Sequence, residues 1–401
     1  MTSGVEPDLT DGPLPADVAE HVGDRDFGIY VHVPFCATRC GYCDFNTYTA
    51  DQLSGTSPSD YIRAAHSEIA LAGRVLPLAP RLGTVFFGGG TPTLLSASEH
   101  VRLLEALAST FGLRPDAEVT TEANPESVDS ESLAVLRTGG INRISMGMQS
   151  AVPHVLKTLD RTHTPGRVAA AVSEARAAGF DNLSLDLIYG APGESIADWK
   201  RSLDTAIELE PEHISAYSLI VEEGTRLARQ IRSGDLEAPD DDVQAVKYEL
   251  ADEMLSAAGY QWYELSNWAK AESYRSRHNV GYWTGDNWWG IGPGAHSHVA
   301  GVRWWNVKHP RAYSQRLTAG QTPAADREVL DQPTRRLEQV MLQIRMREGF
   351  PRDLLSAASI EPAIALVDDG LLDGSRWADG LVALTRRGRL LADLVVRQLT
   401  S

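Results

Sequence analysis

Short runs rich in β-branched and aromatic residues recur along the first 220 residues. Longer stretches with apolar positions three or four apart lie between them. The runs predict strands at 29–33, 84–87, 118–121, 143–146, 183–188 and 213–219. Amphipathic stretches near 60–75, 97–111, 128–138, 165–178, 195–208 and 241–258 predict helices. Six successive strand–helix units predict an α/β fold, a parallel sheet with helices outside. Curved, that sheet makes a partial (β/α)6 TIM-like barrel, whose chemistry belongs at the C-terminal strand ends.

The pattern changes after residue 260. Seven of the nine tryptophans lie from Trp262 to Trp305, and a new helical pattern starts near residue 330. There a helix over 334–347, a second pattern around Leu354 and Leu355, and GLLDGSRWADGLVALTRRGRLLADLVV predict a smaller α+β unit of winged-helix type. The expected divisions are an acidic tail at 1–25, a barrel at 26–260, an aromatic-rich extension at 261–325 and the C-terminal unit at 326–401. The tail is rich in Pro, Gly and Asp, so it is expected to be flexible and outside the folded core.

Composition narrows the functional classes. The 401 residues carry a net charge of −17, which repels phosphate backbones and anionic membranes. Residues 331–401 balance ten Lys or Arg against ten Asp or Glu, so the winged-helix pattern lacks the basic face of a DNA reader. No apolar run approaches the roughly 20 residues of a membrane span. The N-terminus has neither the basic nor the apolar region of a secretory signal. The three cysteines all lie within 36–43, a set that builds no disulfide framework and suits a reducing, cytoplasmic compartment.

Those cysteines follow the first predicted strand as Cys36, Cys40 and Cys43, a C-x3-C-x2-C spacing. Three thiolates so close can ligate three corners of a [4Fe-4S] cubane and leave the fourth iron open to an amino-acid head group. Zinc is the alternative, with a distant histidine as fourth ligand. Gly88-Gly89-Gly90-Thr91-Pro92, Glu122-Ala123-Asn124-Pro125, Gly147-Met148-Gln149-Ser150 and Tyr189-Gly190 end the next four strands, so five strand ends converge on one mouth.

The cysteine spacing and the Gly89-Gly90-Thr91 motif resemble the radical SAM superfamily, which implies S-adenosylmethionine as a second cofactor. YVHVPFC at 30–36, GGGTPT, TEANP and RISMGMQ together are similar to the oxygen-independent coproporphyrinogen III oxidase family. That resemblance implies a pocket for S-adenosylmethionine built by Tyr30, Tyr42, Gly89, Gly90, Thr91, Glu122, Gln149, Arg161 and Asp186. The family divides into oxidases and haem chaperones of the HemW type. Oxidases carry a further cysteine two residues after the third, where this chain has Phe45, and a longer N-terminal extension. CDFNT at 43–47 and HNVGYW at 278–283 resemble the chaperone branch.

The chaperone resemblance implies binding of haem and its transfer to an acceptor protein, without assigned catalytic residues. It implies an electron donor such as flavodoxin or ferredoxin. His278 would ligate haem iron, with Tyr282 and Trp283 on the porphyrin; a structural role at a domain interface is the other reading. His296 would border the S-adenosylmethionine site or belong to a buried glycine turn. Arg275, Arg277 and Arg303 are candidates for the propionates. Decarboxylation of coproporphyrinogen III is the alternative function.

Overall fold

The computed structural model describes residues 14, 18, 21–53 and 57–400. β1 (Phe27–Val33), β2 (Leu82–Gly89), β3 (Leu113–Ala123), β4 (Arg143–Gln149), β5 (Leu183–Tyr189) and β6 (His213–Ser218) lie side by side in chain order, all parallel. Helices Pro58–Val75, Ala97–Phe111, Ser130–Thr138, Pro165–Ala177, Ile196–Glu208 and Asp241–Ala257 follow in turn. Every predicted strand and helix of this region is present. Serine caps start three of the helices: Ser57, Ser96 and Ser195 each accept from the backbone three residues on, where Asp60, Glu99 and Asp198 reach back. β1 and β6 are not neighbours, so the barrel stays open.

The aromatic-rich segment differs from the expected extension. β7 (Gln261–Glu264) and β8 (Asn267–Ala269) continue the sheet antiparallel beyond β6. β9 (Asn287–Ile291) pairs parallel with β1, and β10 (His296–Val299), β11 (Val302–Asn306) and β12 (Ala324–Val329) continue antiparallel from it. The result is one twelve-stranded sheet, with no break at residue 260 or 325. The physical reason lies in the tryptophan pairs, because neighbouring strand residues point to opposite faces. Trp289 and Trp304 are buried together on one face, rings edge-to-face at 4.8 Å, while Trp288 and Trp305 stand on the other.

Glu68, fully buried on the first helix, clamps this return. Its carboxylate accepts from the Gly292 amide at 2.8 Å, Asn306 Nδ2 at 2.7 Å and the Tyr313 hydroxyl at 2.6 Å. The predicted tail also needs correction. Its residues 1–13, 15–17, 19 and 20 lie outside the described ones, but Val18 and Val22 join the main core, and Asn287 Nδ2 donates to the Val22 carbonyl. An i, i+4 valine pair has apolar surface to bury whatever the composition around it.

The C-terminal unit has its own core around Ile344, Phe350, Leu366, Val382 and Val395. A two-residue ladder of β13 (Phe350–Pro351) and β14 (Leu381–Val382) sits beside helices Gln332–Gln343, Ile360–Asp368 and Ala392–Thr400. Asp252 joins it to the barrel, accepting from Trp268 Nε1 and Arg389 and facing Arg386 at 3.4 Å. The Arg389 guanidinium lies 3.6 Å from the centre of the Trp262 ring. No helix among the described residues is long and apolar enough to cross a membrane.

Asp252→Ala strands two arginines and an indole N–H at a largely buried junction. It is expected to lower stability by about 2 kcal/mol in urea titration; a loss under about 0.5 kcal/mol would mean that solvent already screens the pairs.

Candidate functional site

The C-terminal ends of β1 to β4 meet at one mouth. The chain leaves β1 through Phe35, whose carbonyl accepts from the Thr91 amide, while Gly90 N donates to the Val33 carbonyl. The cysteine loop is therefore laced to the glycine turn after β2. Gly90 is required there: a Cβ would sit 2.4 Å from the Phe35 oxygen and 2.9 Å from Cys36 Sγ. All three thiols are half-buried and free. Burial pushes the Cys36 thiol up to about 11 and raises Cys43 as well. Without a metal the Cys36 and Cys43 thiols stay protonated at neutral pH, and metal binding must displace those protons.

A polar chain ties the loop to the other strand ends. Arg161 Nη1 approaches Cys40 Sγ at 3.8 Å, its Nη2 donates to Asn124 Oδ1 and the Gly147 carbonyl, and Asn124 Nδ2 donates to Thr91 Oγ1. Gln149 sits at a bulge in β4 with φ +61°, a left-handed conformation uncommon for a residue with a Cβ. Its side chain folds back over Gly147, where a Cβ would meet Gln149 Nε2 at 2.7 Å. Tyr42 packs against the small apolar cluster that contains Val155, Leu159 and Leu227, beside Cys40.

Two carboxylates face the lumen. Glu122 Oε2 accepts from the Gly89 amide at 3.1 Å, and Asp186 accepts from Ser145 and Ser184. Burial first, then the Asp186 charge, pushes Glu122 up to about 8. Burial likewise raises Asp186. Arg143, 1% exposed, is the cation whose field reaches both. Tyr30 lies on the same wall, its hydroxyl 3.0 Å from His32 Nδ1 and its ring stacked on Phe86.

HNVGYW lies within a helix, Arg277–Thr284. Ser276 and both Glu118 oxygens cap its amides, and Gly285 at φ +76° ends it. The motif's side chains part company. His278 turns toward the lumen, where Nδ1 meets Thr84 Oγ1 and Nε2 meets the Tyr282 hydroxyl, both at 2.8 Å; burial pushes it down to about 3. Tyr282 and Trp283 instead line a cavity of about 1110 Å³. Its other walls are β9 to β12 and the helix Gln332–Gln343, with Trp288, Trp305, His296 and His298 facing in. His296 thus lies at this cavity. Of the three propionate candidates, Arg303 alone lines it; Arg275 pairs with Glu348, and Arg277 donates to Asp116 and Gly83 carbonyls.

Sequence reasoning missed Asn124, although TEANP contains it, and Arg143, although RISMGMQ begins with it. It also missed Arg25, Arg335 and His298. The two-residue spacing from His296 within one short strand would have pointed to His298; nothing in the sequence joins Arg25 to Arg335.

A family model described as the Radical SAM superfamily matches residues 30–206. A heme chaperone HemW from Mycobacterium tuberculosis is 54% identical over 375 residues, 94% of this chain and 95% of that protein. This chain belongs to the HemW family of heme chaperones. A Bacillus subtilis HemW is 33% identical over 379 residues, 91% of this chain and 97% of its own. The solved structure of coproporphyrinogen III oxidase (HemN) from Escherichia coli, a radical SAM enzyme, matches with a TM-score of 0.83. It covers 96% of this chain and 92% of the other at 23% identity, and shares the fold. The HemW-family chain thus has a barrel of the radical SAM type.

In this HemW-family chain the raised Glu122 gives a pH signature. A carboxyl whose folded pKa exceeds its unfolded one binds more protons in the fold, so its contribution to stability is lost as pH rises from about 4.5 to about 8. Glu122→Gln keeps an acceptor for Gly89 and cannot ionise. Between pH 5 and pH 8.5 the variant should gain at least about 1 kcal/mol on the wild type in urea titrations, a comparison in which the buried histidines cancel. A pH-independent difference would contradict the assignment.

Proposed function

We propose that this chain is a haem chaperone that carries a [4Fe-4S] cluster on Cys36, Cys40 and Cys43 with S-adenosylmethionine beside it, and passes haem to an acceptor protein. The observation that carries this reading is the family membership, which spans the barrel, the aromatic extension and the C-terminal unit alike. The cavity beside Tyr282 and Trp283 supports it. At about 1110 Å³ it is slightly larger than the about 300–1,000 Å³ of ordinary ligand pockets, room enough for a large flat ligand.

The mouth suits the two cofactors. When bound, such a cluster supplies single electrons and an open iron for an amino-acid head group. Gly89 and Gly90 leave backbone room beside that position, and Thr91 and Arg161 hold the loop through Asn124. Glu122 and Asp186 offer acceptors for an ammonium group or ribose hydroxyls, and their raised affinity for protons marks carboxylates short of a cation. Tyr30, Tyr42 and Gln149 complete the wall. Arg39, Lys157 and Arg226 stand exposed around the loop and suit an acidic electron carrier of the flavodoxin or ferredoxin kind. Phe45, 59% exposed, occupies the place of the oxidases' additional cysteine.

Anaerobic reconstitution of the full chain should yield about four irons per chain, and Cys36→Ala or Cys43→Ala should remove most of them. Haemin should bind the reconstituted chain. Coproporphyrinogen III with S-adenosylmethionine and a reductant should give no decarboxylated product. Product formation would replace the chaperone reading with the oxidase one, and stoichiometric zinc in place of iron and sulfide would end the cluster reading.

A further inference from the structure

The large cavity contains a histidine prepared for metal ligation. His298 stands on β10, opposite Trp288 on β9, their rings 5.2 Å apart. Its Nδ1 lies 3.1 Å from the Asp286 carbonyl, which accepts no other way than from a ring N–H. That bond sets the tautomer: the proton stays on Nδ1, and Nε2 carries a lone pair. Among the described residues no hydrogen bond engages Nε2, and the ring lines the cavity. Burial and the neighbouring guanidinium groups lower its proton affinity, so it is neutral at pH 7.

The other histidines near the cavity are less suited: His21 lines it too, but its side chain is exposed and its Nδ1 faces the exposed Asp24 carboxylate. His278 has both ring nitrogens engaged, within the lumen wall. His296, two residues earlier on the same face, is exposed at the rim near Lys308.

The surroundings of His298 match an iron porphyrin. Trp283, Trp288 and Trp305 supply flat apolar surface. Arg25, Arg303 and Arg335 all act electrostatically on His298, so three cations gather at one side of the cavity of a strongly acidic protein. Arg303 is held by Glu328 and Glu338. Arg335 crosses the β10–β11 turn, where Gly301 leaves space: a Cβ there would overlap the guanidinium carbon. Its Nε donates to the Leu330 carbonyl, and Arg25 Nη1 donates to the Thr284 carbonyl, contacts that aim the heads without neutralising them. Two partly open guanidinium groups fit the two propionates of one porphyrin.

We propose that His298 Nε2 is the axial ligand of the haem cargo, which lies in this cavity against the tryptophans with its propionates toward Arg25 and Arg335. The assignment rests on the haem-chaperone reading. Ligation needs no redox step: the Nε2 lone pair enters the iron coordination sphere, displacing water, and the proton stays on Nδ1, donated to the Asp286 carbonyl. His278 then serves to hold Tyr282, which meets the Trp288 ring edge-to-face at 4.6 Å.

The test titrates haemin and metal-free protoporphyrin IX into the full chain, its H298A, H278A and H296A variants, and R335A, with circular dichroism as the fold control. H298A should weaken haemin at least about tenfold and lose the histidine-ligated Soret and EPR signature, with added imidazole restoring it. Metal-free protoporphyrin should bind H298A almost as it binds wild type, and R335A should weaken both ligands. H278A and H296A should keep the signature. A wild-type signature in H298A, or its loss in H278A or H296A instead, overturns the ligand assignment and leaves the chaperone reading intact. A wild-type chain that takes up no haemin overturns both.

Discussion

The parallel pairing of β9 with β1, held by the buried carboxylate of Glu68, is the contact on which the rest of the molecule depends. It joins the first strand of the barrel to a segment more than 250 residues later. Three donors from that segment converge on one fully buried side chain of the first helix. Burial still pushes Glu68 up to about 7, because three hydrogen bonds do not replace water's solvation of a carboxylate. The clamp makes the aromatic strands part of the barrel sheet, so the face that carries Tyr30 and His32 continues through Trp288 into the wall of the large cavity.

Two compartments result from that continuity. The lumen holds the cysteine loop, the glycine turn and the Glu122–Asp186 pair. The cavity holds the tryptophans, His298 and the arginines. The helix Arg277–Thr284 divides them, with His278 on the lumen side and Tyr282 and Trp283 lining the cavity. The 2.8 Å bond between His278 and Tyr282 and the ring contact of Tyr282 with Trp288 link the two compartments. Strand ends and a helix in contact thus place the cysteine loop and the cavity as neighbours.

The first six βα units were legible because their signals are local: alternating apolar runs, amphipathic stretches and serine caps with an acid three residues on. The strand-end motifs were legible for a related reason, since a parallel barrel sends them to one mouth wherever they lie in the chain. The six short strands of 261–329 were less so. None exceeds six residues, and their pairing depends on partners such as Phe27–Val31, far away in the chain. Val18 and Val22 were hidden because composition averages over a segment, whereas burial is decided residue by residue.

The sequence alone determined the barrel class, the three-cysteine loop, the nearby motifs and the family resemblance, because spacing along the chain carries them. It also singled out HNVGYW through the chaperone resemblance. Only the tertiary structure decided how that segment is used. A helix turns residues four apart toward one another, so Tyr282 caps His278 instead of leaving its imidazole open. Strand pairing, which no local pattern specifies, then brings His298 beside Trp288 and carries Arg25 and Arg335 from opposite ends of the chain to the same cavity.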